Sequence, residues 1–167
     1  MAAIHLAEAQ VCANWVALRK SVVLLAPLFK KMNEGFIMFI TTKGRNALKV
    51  MIDLAKHEGE GYIPLSDVAE RQKESLKYLE TSASQLSSAN LIVSARGKSG
   101  GYKLAKPAKE YSVLEILIAG EGSLAPVQCI DNGCENAGTC CTLPLFKELD
   151  EVITNFLKSK TLKDLCE

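Results

Sequence analysis

With 167 residues, 48% of them hydrophobic and 23% charged, the chain can bury one ordinary core and is too apolar and too weakly charged for a disordered segment. Its formal net charge of +1 hides a division: residues 38–110 hold twelve Lys or Arg against eight Asp or Glu, whereas residues 111–167 hold four against nine. A basic middle suited to a polyanion therefore precedes an acidic C-terminal part. No run makes a membrane span, since residues 11–29 are interrupted by Arg19 and Lys20. The start lacks the basic region and small-residue cleavage pattern of a secretory signal, so a cytoplasmic protein without a membrane partner is expected.

Residues 1–37 carry Ala, Val and Leu runs without clean periodicity or caps and read as an N-terminal extension. The codons for Glu34 and Gly35 can spell GAGG just ahead of the Met38 codon, the place of a bacterial ribosome-binding site. Met38 is therefore expected to be the true start; a packed N-terminal helix is the alternative. From there the pattern is regular. Thr41 or Thr42 can cap a helix running to about His57, with Ala47, Val50, Met51, Leu54 and Ala55 on one face. Gly59 and Gly61 stop it, Ile63 and Pro64 read as an extended link, and Ser66 is expected to cap a brief helix with Val68 and Ala69 inward. A second helix, from about Glu74 to Ser88, turns Leu76, Leu79, Ala83 and Leu86 to one face and leaves Ser75, Lys77, Tyr78, Glu80 and Thr81 outward near its start. Two short helices across a tight turn make a helix-turn-helix, whose second helix presents its first residues to base edges.

Leu91 to Arg96 then reads as a strand, Gly97 to Gly101 as a turn and Tyr102 to Leu104 as the returning strand. With Arg96, Lys98 and Lys103 around a glycine-rich tip, this hairpin is a wing able to approach a DNA backbone, with Arg96 suited to a narrow minor groove. Ser112 and Glu115 form a capping box for a short helix ended by Gly120 and Gly122. Pro144 opens a last long helix with Leu145, Leu149, Val152, Ile153, Phe156 and Leu157 as an apolar stripe, followed by a short turn from Thr161. A winged helix reading two half-sites needs a partner, and this stripe is the expected dimer element.

Between those two helices lies CIDNGCENAGTCC, residues 129–141, which holds four of the six cysteines. In a reducing cytosol such a cluster points to metal binding or redox chemistry, not structural disulfides. Adjacent Cys140 and Cys141 cannot form a relaxed disulfide with each other. Cys12 and Cys166 read as free thiols. No nucleophile motif or acid–base carboxylate pair stands out, and GKSGG is too short for a phosphate loop and lies in a hairpin; the chain is not expected to be an enzyme.

TTKGRNALKVMIDLA (41–55), LSDVAERQ and SLKYLE (65–80), RGKSGGYKLAKP (96–107), the cysteine loop and TLKDL (161–165) together resemble, in order, the Rrf-two family of bacterial winged-helix repressors, which includes iron–sulfur and nitric-oxide sensors. The resemblance implies a mainly α fold with a small β-hairpin. It comprises a winged-helix DNA-binding domain over 38–110, and a cysteine-loop sensor with a dimerisation helix over 111–167. It puts Ser75, Tyr78 and Glu80 in the recognition helix and Arg96 in the minor-groove wing; by their charge and position, Lys43 and Arg45 of the first helix, Lys77 of the second, and Lys98 and Lys103 of the wing are expected as further DNA contacts. Cys129, Cys134 and Cys140 fall on the three cluster-binding cysteines, which implies an iron–sulfur cluster, of the 2Fe–2S type, with Cys141 a candidate fourth ligand. Three soft thiolates on one glycine-bearing loop suit iron–sulfur or zinc.

Three departures from the family bear on that ligand set. The gap between Cys129 and Cys134 is shorter than in the best-known members. Leu143 stands where cluster regulators have a histidine, and Arg45 where nitric-oxide sensors recruit a carboxylate. The fourth ligand stays open among Cys141, Asp131, Glu135, a second subunit and a small thiol. The expected partners are a double-stranded DNA operator and a second copy of the chain. A zinc- or thiol-controlled regulator without iron is one alternative. A small iron–sulfur electron carrier is another, which the basic middle and the wing argue against.

Overall fold

The computed structural model describes residues 40–97 and 99–166. The extension 1–37, the proposed start at Met38, Cys12 and Lys98 lie outside the described residues.

Six helices and one two-stranded sheet make up the described chain: α1 (Thr42–Lys56), α2 (Leu65–Gln72), α3 (Leu76–Ser88), β1 (Ile92–Ala95), β2 (Gly101–Leu104), α4 (Val113–Glu121), α5 (Gln128–Asn132) and α6 (Leu143–Ser159). This is the mainly α, winged-helix architecture expected. Thr41 caps α1, its hydroxyl accepting from the Lys43 N–H at 3.1 Å. Ala47, Val50, Met51 and Leu54 of α1 meet Val68 of α2 and Leu79, Ala83 and Leu86 of α3 in one core, which continues through Leu91 and Ile92 to Tyr111, Ile116 and Leu162. The core thus runs past residue 110.

Local chemistry moves several element ends. Ser66 does not cap α2; the helix starts at Leu65 after Pro64, and the Ser66 hydroxyl bonds Asp67 instead. Lys73, in the left-handed region at φ +52°, closes α2, so Glu74 falls in the turn and α3 starts only after Ser75. Leu76 is consequently exposed, not inward. Asn90, also left-handed, ends α3 and lets the Leu91 N–H reach the Leu86 carbonyl. The wing pairs Ile92 with Leu104 and Ala95 with Gly101 in antiparallel register, leaving Arg96 just beyond the strand. The extended link at Ile63 also joins the wing, exchanging both backbone hydrogen bonds with Tyr102. Gly101 is glycine for space: a Cβ there would lie 2.3 Å from the Ile63 carbonyl oxygen.

Ser112 caps α4 through the Glu115 N–H, but the second half of the capping box is missing because the Glu115 carboxylate pairs with Lys106. Gly120 does not end α4. It is buried within the helix, where a Cβ would come within 3.0 Å of the Ala47 Cβ, and Gly122 at φ +90° is the stop. Tyr111, fully buried, joins the wing to the segment before α4: its hydroxyl donates to the Leu91 carbonyl at 2.7 Å and accepts from the Ala105 and Lys106 N–H groups at 2.9 and 2.8 Å.

Candidate nucleic-acid interface and metal centre

α3 carries most of the sequence-predicted reading residues, and their exposure follows from its amphipathic register. Leu79, Ala83 and Leu86 are buried, which turns Lys77, Tyr78, Glu80 and Thr81 to solvent. Tyr78 is 64% exposed, an amphipathic ring presented to solvent. Ser75 occupies the N-cap position, its carbonyl accepting from the Tyr78 and Leu79 N–H groups. Beside this helix the first turns of α1 contribute Thr42, Lys43 and Asn46 to a groove closed on the other side by Tyr78, Thr81 and Ser82. Lys43 and Tyr78 are therefore brought together from positions far apart in sequence. Arg45 is exposed on the same turn, its guanidinium donating to the Thr42 hydroxyl at 3.3 Å.

Arg96 is exposed at the wing tip beside Gly97. Lys103 is placed differently. It lies on the outer face of β2, its ammonium 4.8 Å from the Tyr62 ring centroid, and lines a separate hollow with His57, Gly61 and Ile63.

Three polar contacts that hold these elements in place escaped the sequence reading. Asp53, only 2% exposed, accepts two bonds from the Arg71 guanidinium on Oδ1, at 2.6 and 3.2 Å, a third at 3.1 Å on Oδ2, and one from Gln72 at 3.2 Å. Burial opposes the charge on Asp53, but hydrogen bonds from Arg71 and Gln72 and the nearby positive charge outweigh it and hold the carboxyl below its usual range. That fork fixes α2 on α1 and so aims the turn into α3. Lys49 pairs with Glu74 in the same turn. Third, the Glu121 carboxylate accepts from the N–H groups of Thr41 and Gly44 and from the Thr41 hydroxyl. An acid beside an apolar stripe, as Asp53 is, was a legible signal for the first; the partners of the other two were not legible.

The cysteine segment is partly helical, which corrects its reading as a plain loop: Cys129 lies in α5, half-buried. Cys134 is exposed, Cys140 is half-buried at the entrance to α6, Cys141 is exposed, and all four are free thiols. Among the described residues no three His, Cys, Asp or Glu side chains are gathered around one metal position. The donor set nonetheless fits a thiophilic centre: three thiols flank Gly133, at φ +74°, and Gly138, a position open to solvent, with no buried side chain between them to resist their convergence. Cys140 is the best prepared. Its sulfur lies 3.3 Å from the Thr142 hydroxyl, and that bond, with those from the Thr142 and Leu143 N–H groups, holds the thiol below its usual range.

Of the open fourth-ligand candidates, Asp131 is engaged by the Ser123 hydroxyl, whereas Cys141 is exposed. Leu143 is a core residue, 6% exposed, which accounts physically for its place at the head of α6. On that helix Leu145, Leu149, Val152 and Phe156 form an exposed apolar face, while Ile153 and Leu157 are half-buried. No described helix is long and apolar enough to cross a membrane.

Comparison with known proteins bears on this arrangement. The Rrf2 family model, described as an iron-dependent transcriptional regulator, matches residues 40–167. The HTH-type transcriptional regulator IscR of Photorhabdus laumondii is 42% identical over 129 residues, 77% of this chain and 79% of that protein. Among solved structures, CymR, the global cysteine regulator of B. subtilis, superposes with a TM-score of 0.62 at 34% identity, covering 75% of this chain and 94% of that one. IscR of T. potens superposes with a TM-score of 0.59, also at 34% identity, covering 75% and 83%.

Proposed function

The chain belongs to the Rrf2 family of iron-dependent transcriptional regulators and is a DNA-binding regulator, not an enzyme; from that premise we propose a homodimeric repressor whose affinity for its operator is set by an iron–sulfur cluster on Cys129, Cys134 and Cys140. The observation that carries this reading is the joint exposure of the α3 face bearing Lys77, Tyr78, Glu80 and Thr81 and of a thiol-rich segment that connects α4 to α6.

Lys77, Tyr78 and Glu80 read the major groove from α3, Ser75 and Arg45 contact phosphates, Lys43 joins them from α1, and Arg96 enters the minor groove from the wing, with Lys98 and Lys103 adding positive charge to the hairpin. Glu80 is suited to accept from a cytosine amino group and Lys77 to donate to guanine. The exposed face of α6 meets its copy in a second subunit and spaces the two recognition helices. Burying Leu145, Leu149, Val152 and Phe156 contributes on the order of 1 kcal/mol per side chain, since each is already partly covered. Val152→Glu should shift sedimentation from dimer to monomer; an unchanged dimer would move the interface elsewhere.

When bound, a 2Fe–2S cluster supplies an oxidisable, iron-responsive centre. Cys129, Cys134 and Cys140 would hold it, with Cys141 a candidate fourth ligand. Gathering those thiols orders residues 122–142, and the dimer is biased between arrangements of different DNA affinity. The test is anisotropy of a labelled duplex with iron-and-sulfide-reconstituted and chelator-stripped protein. Unequal affinities that become equal in Cys134→Ala support the reading, and equal affinities in the unaltered chain defeat it.

The state of Cys140 favours a second reading, a thiol switch without iron. A peroxide attacked by the half-buried Cys140 sulfur in its deprotonated form breaks its O–O bond, hydroxide leaves and a sulfenic acid forms, which a neighbouring thiol condenses with to release water. Iron and sulfide analysis of the anaerobically purified protein separates the two readings.

A further inference from the structure

We infer that the Glu121 carboxylate is the joint through which the cysteine segment acts on the DNA-facing groove, a role that rests on the reading above that the state of this segment sets DNA affinity. Glu121 is the last residue of α4, and the chain leaves the helix at Gly122 toward the cysteines. Its Oε1 accepts from the Thr41 N–H at 2.6 Å and the Gly44 N–H at 3.0 Å, and its Oε2 accepts from the Thr41 hydroxyl at 3.0 Å. One carboxylate thus takes three donors from the first turn of α1, where the N-terminal end of the helix dipole also favours its charge. The contact is shaped by two glycines. A Cβ at Gly44 would lie 2.5 Å from Oε1, and one at Gly120 would lie 3.1 Å from the Gly44 Cα.

What lies on each side of the contact distinguishes a joint from a simple cap. On one side, the α1 turn that Glu121 holds is the turn that presents Thr42, Lys43 and Asn46 to the groove shared with Tyr78 and Thr81. On the other, the Ser123 hydroxyl, just past Glu121, donates to Asp131 in α5, the helix that carries Cys129, and accepts from the Ala125 N–H. Two hydrogen-bonded contacts only two residues apart, Ser123 on Asp131 of the cysteine-bearing helix and Glu121 on the α1 turn at the groove, are therefore joined by the backbone through Gly122. When Cys129 moves toward Cys134 and Cys140, α5 must shift or turn, and Ser123 passes that displacement to the end of α4. The Glu121 contact then either keeps its three donors or loses them, and the position of Lys43 against Tyr78 follows. Linkage makes the effect reciprocal: DNA seated in the groove favours one state of the cysteine segment.

The test uses the full chain and a duplex that the unaltered protein selects from a random pool. The ratio of dissociation constants between chelator-stripped and iron-and-sulfide-reconstituted protein is measured for the unaltered chain, Glu121→Gln and Gly44→Ala. The second variant keeps the carboxylate, improves helix propensity and blocks the approach of Oε1. The unaltered chain should give a ratio in the range of about 5- to 150-fold typical of coupled sites, and both variants should bring it close to one while still binding the duplex in at least one state. Variants that weaken both states equally and keep the full ratio would reduce Glu121 to a cap and overturn the inference. A ratio of one in the unaltered chain would instead overturn the regulatory reading beneath it. Hydrogen exchange at the Thr41 and Gly44 amides of the unaltered chain gives a check without variants: exchange that differs between the two loaded states supports the joint, and identical exchange overturns it.

Discussion

Replacing Tyr111 by Phe removes one oxygen and nothing else, yet three groups depend on that oxygen. The hydroxyl is buried and bonds the Leu91 carbonyl and the Ala105 and Lys106 N–H groups at 2.7 to 2.9 Å. Each neutral hydrogen bond contributes about 1 kcal/mol net, and each partner left buried without a replacement costs at least that much. Tyr111→Phe should therefore destabilise the protein by about 3 kcal/mol. For a domain of this size 1 kcal/mol corresponds to roughly 4 °C in Tm, so Tm falls by about 12 °C. Burial pushes the Tyr111 phenol above its usual range, so the hydroxyl remains a donor at neutral and mildly alkaline pH and the loss should be the same throughout. Thermal unfolding followed by circular dichroism, with urea unfolding to confirm an unchanged m-value, measures it. A Tm within about 2 °C of the unaltered chain would mean that water satisfies all three groups, and that Tyr111 does not bind the wing to the body of the fold.

Asp53 predicts an acid limit. Its folded-state pKa lies below the ordinary 3.8, so the unfolded chain takes up the proton first, and the stability contributed above about pH 4 is lost as pH falls through the depressed value. In Asp53→Asn that part of the slope should vanish, as urea midpoints at pH 7 and pH 3 will tell. Gly101→Ala should cost about 3 kcal/mol, because its Cβ would meet the Ile63 backbone at 2.3 Å; an unchanged melting curve would contradict that close approach. If Lys43 and Arg96 contact phosphate and minor groove, alanine at either should weaken DNA binding and lower the slope of log affinity against log salt by about one. A slope identical to that of the unaltered chain removes the residue from the interface.

Much of the fold was written in short-range patterns. The α1 stripe from Ala47 to Leu54, the outward start of α3 and the glycine-rich hairpin depend on neighbours within a few residues, so spacing alone reveals them. Ser66 and Glu74 misled because both look like helix starters. The left-handed turn at Lys73 and the proline before Leu65 decide where those helices begin. Gly120 read as a stop, but its true constraint is the approach of α1, which no local pattern contains. The same limit applies to the site. The cysteines and the recognition-helix face announce themselves by residue type, whereas the Asp53 fork, the Lys49–Glu74 pair and the contact of Glu121 with Thr41 join residues that only the tertiary structure brings together.

The most direct test of the account is the visible absorption spectrum of the chain purified without oxygen, recorded alongside its iron and sulfide content. A cluster on the three cysteines should give iron–sulfide charge-transfer bands that disappear together in Cys129→Ala, Cys134→Ala and Cys140→Ala, while each variant remains folded by circular dichroism. A colourless protein that takes up neither iron nor sulfide on anaerobic reconstitution would contradict it, and would leave DNA binding under the control of thiol chemistry or zinc.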